Sequence, residues 1–173
     1  MNPIALGVAG WLALRELRFR RQEVNERSTL YSQARAYADR RRKPLLVVGT
    51  PRARLSPTRP AYPCGDVTLD LDPIVTTQCP EGGVVGDVRE IPYPDKCFGA
   101  AFVSHVLEHL ATIEDFALAW SELNRVADTV YVAYPEPQGV IAQLYPGHHL
   151  LMYQVEEGWH VTEITSGRAA VVK

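Results

Sequence analysis

The feature that most constrains this chain is Leu45 to Gly49, LLVVG, a short unbroken apolar run that closes on glycine. A strand with one wet face alternates apolar and polar residues; a run apolar throughout and too short for a helix is a strand covered on both faces, as in a parallel sheet. Ala100 to Ser104, AAFVS, has the same character, and Thr129 to Pro135, TVYVAYP, reads as a third such strand. Val67 to Leu71, VTLDL, is a strand ending in acid, and Gly83 to Gly86 allows a short one before Asp87. Between Thr112 and Val126, apolar Ile113, Phe116, Ala117, Trp120, Leu123 and Val126 recur at helical spacing. Val161 to Thr165 and Ala169 to Val172 form a closing hairpin around Gly167. Strands alternating with helical or loop crossovers predict a mainly parallel α/β sheet with an antiparallel edge.

Pro51, Pro57, Pro60 and Pro63 exclude a long helix after the first strand and predict a loop there. At 173 residues and 46% hydrophobic content the chain suits one core, which we place at 43–173. Before it, Pro3 to Leu14 is almost wholly apolar and is followed by Arg15, Arg18, Arg20 and Arg21. That run is short of the roughly 20 apolar residues of a spanning helix. Its charges follow the apolar stretch, the reverse of a cleavable signal, so the chain is read as not secreted. Residues 1–21 are expected to be a helix that associates with a membrane, the C-terminal domain then being cytoplasmic, or docks on protein. Residues 22–42 read as a polar helix, a spacer or cover, with Val24, Tyr31, Ala34 and Ala38 on one stripe, stopped by Pro44.

A net charge of −2 gives no general attraction to phosphate, so nucleic acid is not indicated as a partner. Cys64, Cys79 and Cys97 are odd in number and lack C-x-x-C spacing, and are read as reduced thiols rather than a disulfide framework or zinc site. His105-Val106-Leu107-Glu108-His109 matches H-x-x-E-H, a zinc-hydrolase pattern when two histidines share a helix face. Here it begins on a buried strand. The plainer reading packs Leu107 and Leu110 inward and leaves Glu108 and His109 in solvent. His148 and His149 are adjacent and diverge unless a turn gathers them. No metal ligands are assigned.

The stretch GDVREIPYPDKCFGAAFVSHVLEHL, Gly86 to Leu110, resembles class I S-adenosylmethionine-dependent methyltransferases of the type 11 kind. LLVVG is similar to their first strand, VTLDLDP to the second with its ribose-binding acid, and IEDFALAWSELNRVADTVYVAYPEP to a following helix and strand. The resemblance implies a Rossmann-like α/β sheet preceded by an N-terminal helix, S-adenosylmethionine as cofactor, and methyl transfer to an unidentified acceptor. By position it implies that Gly49 lies by the cofactor and that Asp70, with Leu71 beside it, takes the ribose hydroxyls. Asp87 and Val88 would meet the adenine edge, and His105 would lie near the methyl donor. His109, Tyr134 and Glu136 become candidates for contact with the acceptor.

The sequence departs from the pattern where the family carries G-x-G-x-G: here stand Gly49-Thr50-Pro51-Arg52-Ala53, and only the first glycine remains. Proline removes an amide donor and alanine adds a Cβ where a backbone should approach the cofactor. Arg52 or Arg54 would either pair with the cofactor carboxylate or merely solvate the loop. Gly99 also replaces a common Asp. An inactive methyltransferase-fold module, held to a membrane or assembly through residues 3–21, is the alternative these departures support.

Overall fold

The computed structural model describes residues 3–51 and 62–173. The expectations for Arg52, Ala53, Arg54 and the proline-rich loop fall within residues 52–61, outside the described residues. Strands β1 (Leu45–Val48), β2 (Val67–Asp70), β3 (Gly83–Val85), β4 (Ala100–Ser104) and β5 (Val130–Ala133) form one parallel sheet in the order β3-β2-β1-β4-β5. Order reverses between β1 and β4, which pair through Leu45 with Ala100 to Val48 with Val103. The sheet is covered on both faces, and alternate residues divide cleanly between them. Leu46, Val48, Ala101 and Val103 join one apolar cluster, and Leu45, Val47, Ala100 and Phe102 the other. This is why β1 and β4 read as unbroken apolar runs.

The first cluster is covered by helix α3 (Ile113–Val126) and by an antiparallel sheet of β6 (Leu150–Val155), β7 (Gly158–Glu163) and β8 (Ala169–Val172). The antiparallel strands thus pair among themselves in a second sheet and do not extend the edge of the first. Thr112 caps α3, its hydroxyl accepting the Asp115 amide at 3.1 Å. Trp159 on β7 is the hub, with its ring edge-on to Phe116 and Trp120 of α3 and to Tyr134 after β5.

Glu163 ties this layer together. Its carboxylate accepts from Arg168, the Ser166 hydroxyl and the Ile113 amide. These donors, Arg168 foremost, hold its pKa down to about 2 from an ordinary 4.5. A carboxyl made more acidic by folding stabilises the fold above its unfolded pKa and loses that contribution as pH falls through the folded one. Acid titration followed by circular dichroism should therefore show a stability loss between about pH 4.5 and 2 that is shallower in Glu163→Gln. Equal slopes in the two proteins would reject the assignment.

The opposite cluster is covered by α1 (Pro3–Arg41), one continuous helix of 39 residues. The apolar start and polar continuation are a single element, and the second half is a cover. Ala34 and Ala38 are buried against Leu45, Val47 and Phe102, with Leu30 and Tyr31 beside them; Val24, expected on that stripe, is instead exposed. Small residues let the helix axis come close. A Cβ on Gly99 would lie 2.8 Å from the Ala38 Cα, so the glycine that replaces the common Asp is required by the crossing of α1 over the start of β4. Arg35 pairs with Asp66, and Arg41 and Lys43 with Asp128, at the rim of the sheet. No helix among the described residues is long and apolar enough to cross a membrane.

The expectation of reduced cysteines fails for two of the three. Cys64 and Cys79 form a disulfide that joins the approach to β2 to the residue ending the short helix α2 (Val75–Gln78); Cys97 alone is free. The two lie 15 residues apart, a pairing made by the β2–α2 turn of the chain rather than by a short spacing motif.

Candidate active site at the carboxyl edge of the sheet

In an open parallel sheet ligands sit outside the carboxyl ends of the strands where strand order reverses. Gly49 follows β1 with φ +95°, its amide donating to the Leu69 carbonyl at 2.9 Å. A Cβ there would lie 2.8 Å from both the Ser104 carbonyl oxygen and Val106 Cγ2. Glycine is thus demanded by the close approach of the chain's own β4 turn as well as by its left-handed backbone. Behind it Tyr62 is buried and donates its hydroxyl to the Gly49 carbonyl at 3.1 Å; burial pushes that phenol up to about 12.

Asp70 ends β2 and faces this turn. Its Oδ2 accepts both the Thr50 amide, at 2.6 Å, and the Thr50 hydroxyl, while Oδ1 accepts the Asp72 amide at 3.0 Å. Leu71, beside it, is 66% exposed, an apolar surface beside the acid. Asp87 follows β3 and is gripped by Arg89, whose guanidinium spans both carboxylate oxygens and also reaches Asp115 at 2.7 Å. The Arg89 bond is the largest cause of a carboxyl held below its ordinary range. Val88 is buried in the core.

His105 follows β4 with φ +53°, an unusual backbone for a residue with a Cβ. Its Nε2 lies 2.6 Å from Arg27 Nη2 of α1. A guanidinium can only donate, so Nε2 is the acceptor and the ring proton sits on Nδ1. While that pair holds, His105 cannot serve as a base through Nε2. The H-x-x-E-H segment has no shared helix face: His105 ends a strand turn and Leu107–His109 is a single 3-10 turn. Glu108, expected in solvent, is 1% exposed, because this turn folds back beneath the chain at His149, whose amide donates to the Glu108 carbonyl. His109 is exposed and directs Nδ1 to the Gly147 carbonyl.

Tyr134 and Glu136 follow β5. Tyr134 packs on Trp159, and burial raises its phenol pKa. The Glu136 amide donates to Glu23 of α1 at 3.2 Å. Asp70 and Tyr134 belong to strands three places apart, roughly 14 Å by strand spacing, so the structure gathers Gly49, Asp70 and Leu71 at one locus and leaves Tyr134 and Glu136 outside it. A polar groove between α1 and β5, lined by Ser28, Ser32, Gln33, Arg40 and Tyr131, contains none of these groups. Thr50, Arg89 and Arg27 escaped the sequence reading. Only Arg89, two residues after Asp87 in a turn, carried a local signal.

Residues 61–129 match the family model described as a methyltransferase domain. The chain is class I methyltransferase-like. No curated protein and no solved structure matches it. The matched stretch of this methyltransferase-like chain runs from β2 through α3, and begins after the glycine-poor turn that follows β1. Members of that family typically use S-adenosylmethionine and carry out methyl transfer.

Proposed function

We propose that this protein is an S-adenosylmethionine-dependent methyltransferase whose cofactor is held between the β1 turn and the end of β2. The observation that carries the reading is Asp70: facing the β1 turn, one oxygen of its carboxylate takes two donors from a single residue, Thr50, in the manner that a ribose diol would supply them. On the carboxylate, ribose hydroxyls would replace the bonds that they break, while the Thr50 amide and hydroxyl would have to turn to other acceptors. Leu71 offers an apolar surface for the adenine face. Asp87 is the weaker contributor, since an adenine amine would compete with the charge-assisted pair that it already makes with Arg89. Bound there, S-adenosylmethionine supplies an electrophilic methyl on a sulfonium. The protein's part is to align an acceptor with it, which needs no dedicated base.

A specific observation favours a second reading. The space beside Gly49 is filled by Ser104 and Val106, and both oxygens of Asp70 have internal partners, as befits a domain retained as a module. In that case α1 becomes the working part. Trp11 and Leu14 are more than half exposed, and the Arg15 guanidinium lies over the Trp11 and Phe19 rings, an aromatic and cationic surface suited to a membrane surface or a protein assembly.

Calorimetric titration with S-adenosylmethionine and S-adenosylhomocysteine separates the two. Micromolar affinity, about 8 kcal/mol, is expected, falling at least roughly tenfold in Asp70→Ala and less in Asp87→Ala. No heat at millimolar ligand would replace the enzyme with the module.

A further inference from the structure

We propose that Glu108, His109 and His148 form a binding site for a divalent first-row metal of the zinc type, independent of the methyl-transfer reading. One ligand atom from each of the three lies within 4.8 Å of those of the others. Both oxygens of Glu108 are buried and neither has a hydrogen-bond partner among the described residues. Among the described residues its ionic neighbour is His105, whose Nδ1 is 3.2 Å from Oε1 but off the line of a hydrogen bond. Carboxylates in that condition are ordinarily paired or coordinate a metal.

The two imidazoles are prepared for the same task. His109 Nδ1 faces the Gly147 carbonyl at 2.6 Å and His148 Nδ1 faces the Ala142 carbonyl at 3.2 Å. A carbonyl only accepts, so in each neutral ring the proton sits on Nδ1 and the Nε2 lone pair is left for a ligand. Holding the second ring nitrogen on a backbone carbonyl is how metal-binding histidines are oriented. The rings stand 4.8 Å apart, centroid to centroid. The backbone fixes the loops that carry them: the His149 amide donates to the Glu108 carbonyl at 2.8 Å, and the His148 amide to Tyr145 at 2.9 Å. That turn gathers His148 inward and leaves His149 exposed.

Two imidazoles and one carboxylate are a ligand set of zinc and its borderline neighbours, with bonds of about 2.0–2.2 Å and ligand atoms roughly 3.4 Å apart. The side chains must therefore draw in by about an ångström, a rotamer adjustment. Three protein ligands leave a fourth position open, and exposed His109 puts it next to water.

Tag-free, chelator-treated protein is titrated with Zn²⁺ and with Co²⁺, the latter followed by visible d–d absorption. One equivalent should bind, with a rise in melting temperature. Because His109 is exposed, His109→Gln should fold as the wild type does by circular dichroism, yet lose affinity by more than the roughly 10- to 100-fold typical of outer-shell partners. His148→Ala should do the same. No one-to-one uptake by the wild type, or unchanged affinity in folded His109→Gln, overturns the site.

Discussion

Phe102→Ala is expected to destabilise the protein by about 3–5 kcal/mol, the usual range for emptying a fully buried aromatic position. Phe102 has no exposed surface and sits mid-strand on β4 with its ring edge-on to Tyr31 of α1 and to Tyr62, at centroid distances of 5.6 and 5.1 Å. The truncation therefore removes the joint between helix and sheet, and no small neighbour can refill it: Ala34, Ala38 and Ala100 are already at minimum size. For a chain of this length the midpoint should fall by roughly 6–20 °C. Hydrogen exchange should accelerate first in the second half of α1. Leu118→Ala, on the exposed side of α3, is the control and should stay within about 0.5 kcal/mol of wild type. Comparable losses in both would mean that the cluster under α1 is not a distinct source of stability.

The second large effect is expected at Cys64–Cys79. Closing a loop of 15 residues restricts the unfolded chain by about 3 kcal/mol, so the Cys64→Ser/Cys79→Ser double variant should melt roughly 6–12 °C lower. Reductant should bring the wild type to the variant's value and leave the variant unmoved. Cys97 gives the internal comparison, since burial raises its thiol pKa and keeps it protonated and slow to react at neutral pH. A wild-type melting curve indifferent to reductant would remove the bond from the account of stability.

What could be read from the residues was what repeats locally. Burial on both faces made β1 and β4 apolar throughout, and the 3.6-residue period marked α3, so the parallel sheet was legible. The locus of Gly49, Asp70 and Leu71 was named through the family resemblance at two strand ends. What was hidden depends on partners far along the chain. Glu108 looks like any polar residue after a strand until His149 closes over its backbone. His105 gains its tautomer from Arg27, 78 residues away. α1 buries alanines and packs tyrosines rather than a stripe of leucines, so its stripe was visible but did not decide between a spacer and a cover.

An unbroken α1 also works as a lever with a defined phase. Its second half is fastened to the sheet by Arg27, Tyr31, Ala34 and Ala38, while its first turns continue the same axis. At 1.5 Å and about 100° per residue, every position near Trp11 has a set distance and bearing from the carboxyl edge of the sheet. A body that grips those first turns takes hold of the domain's heading as well as its location. One residue inserted between Leu14 and Glu23 would swing the domain by about a quarter-turn around the axis, whereas seven would return it close to its starting bearing about 10 Å farther out.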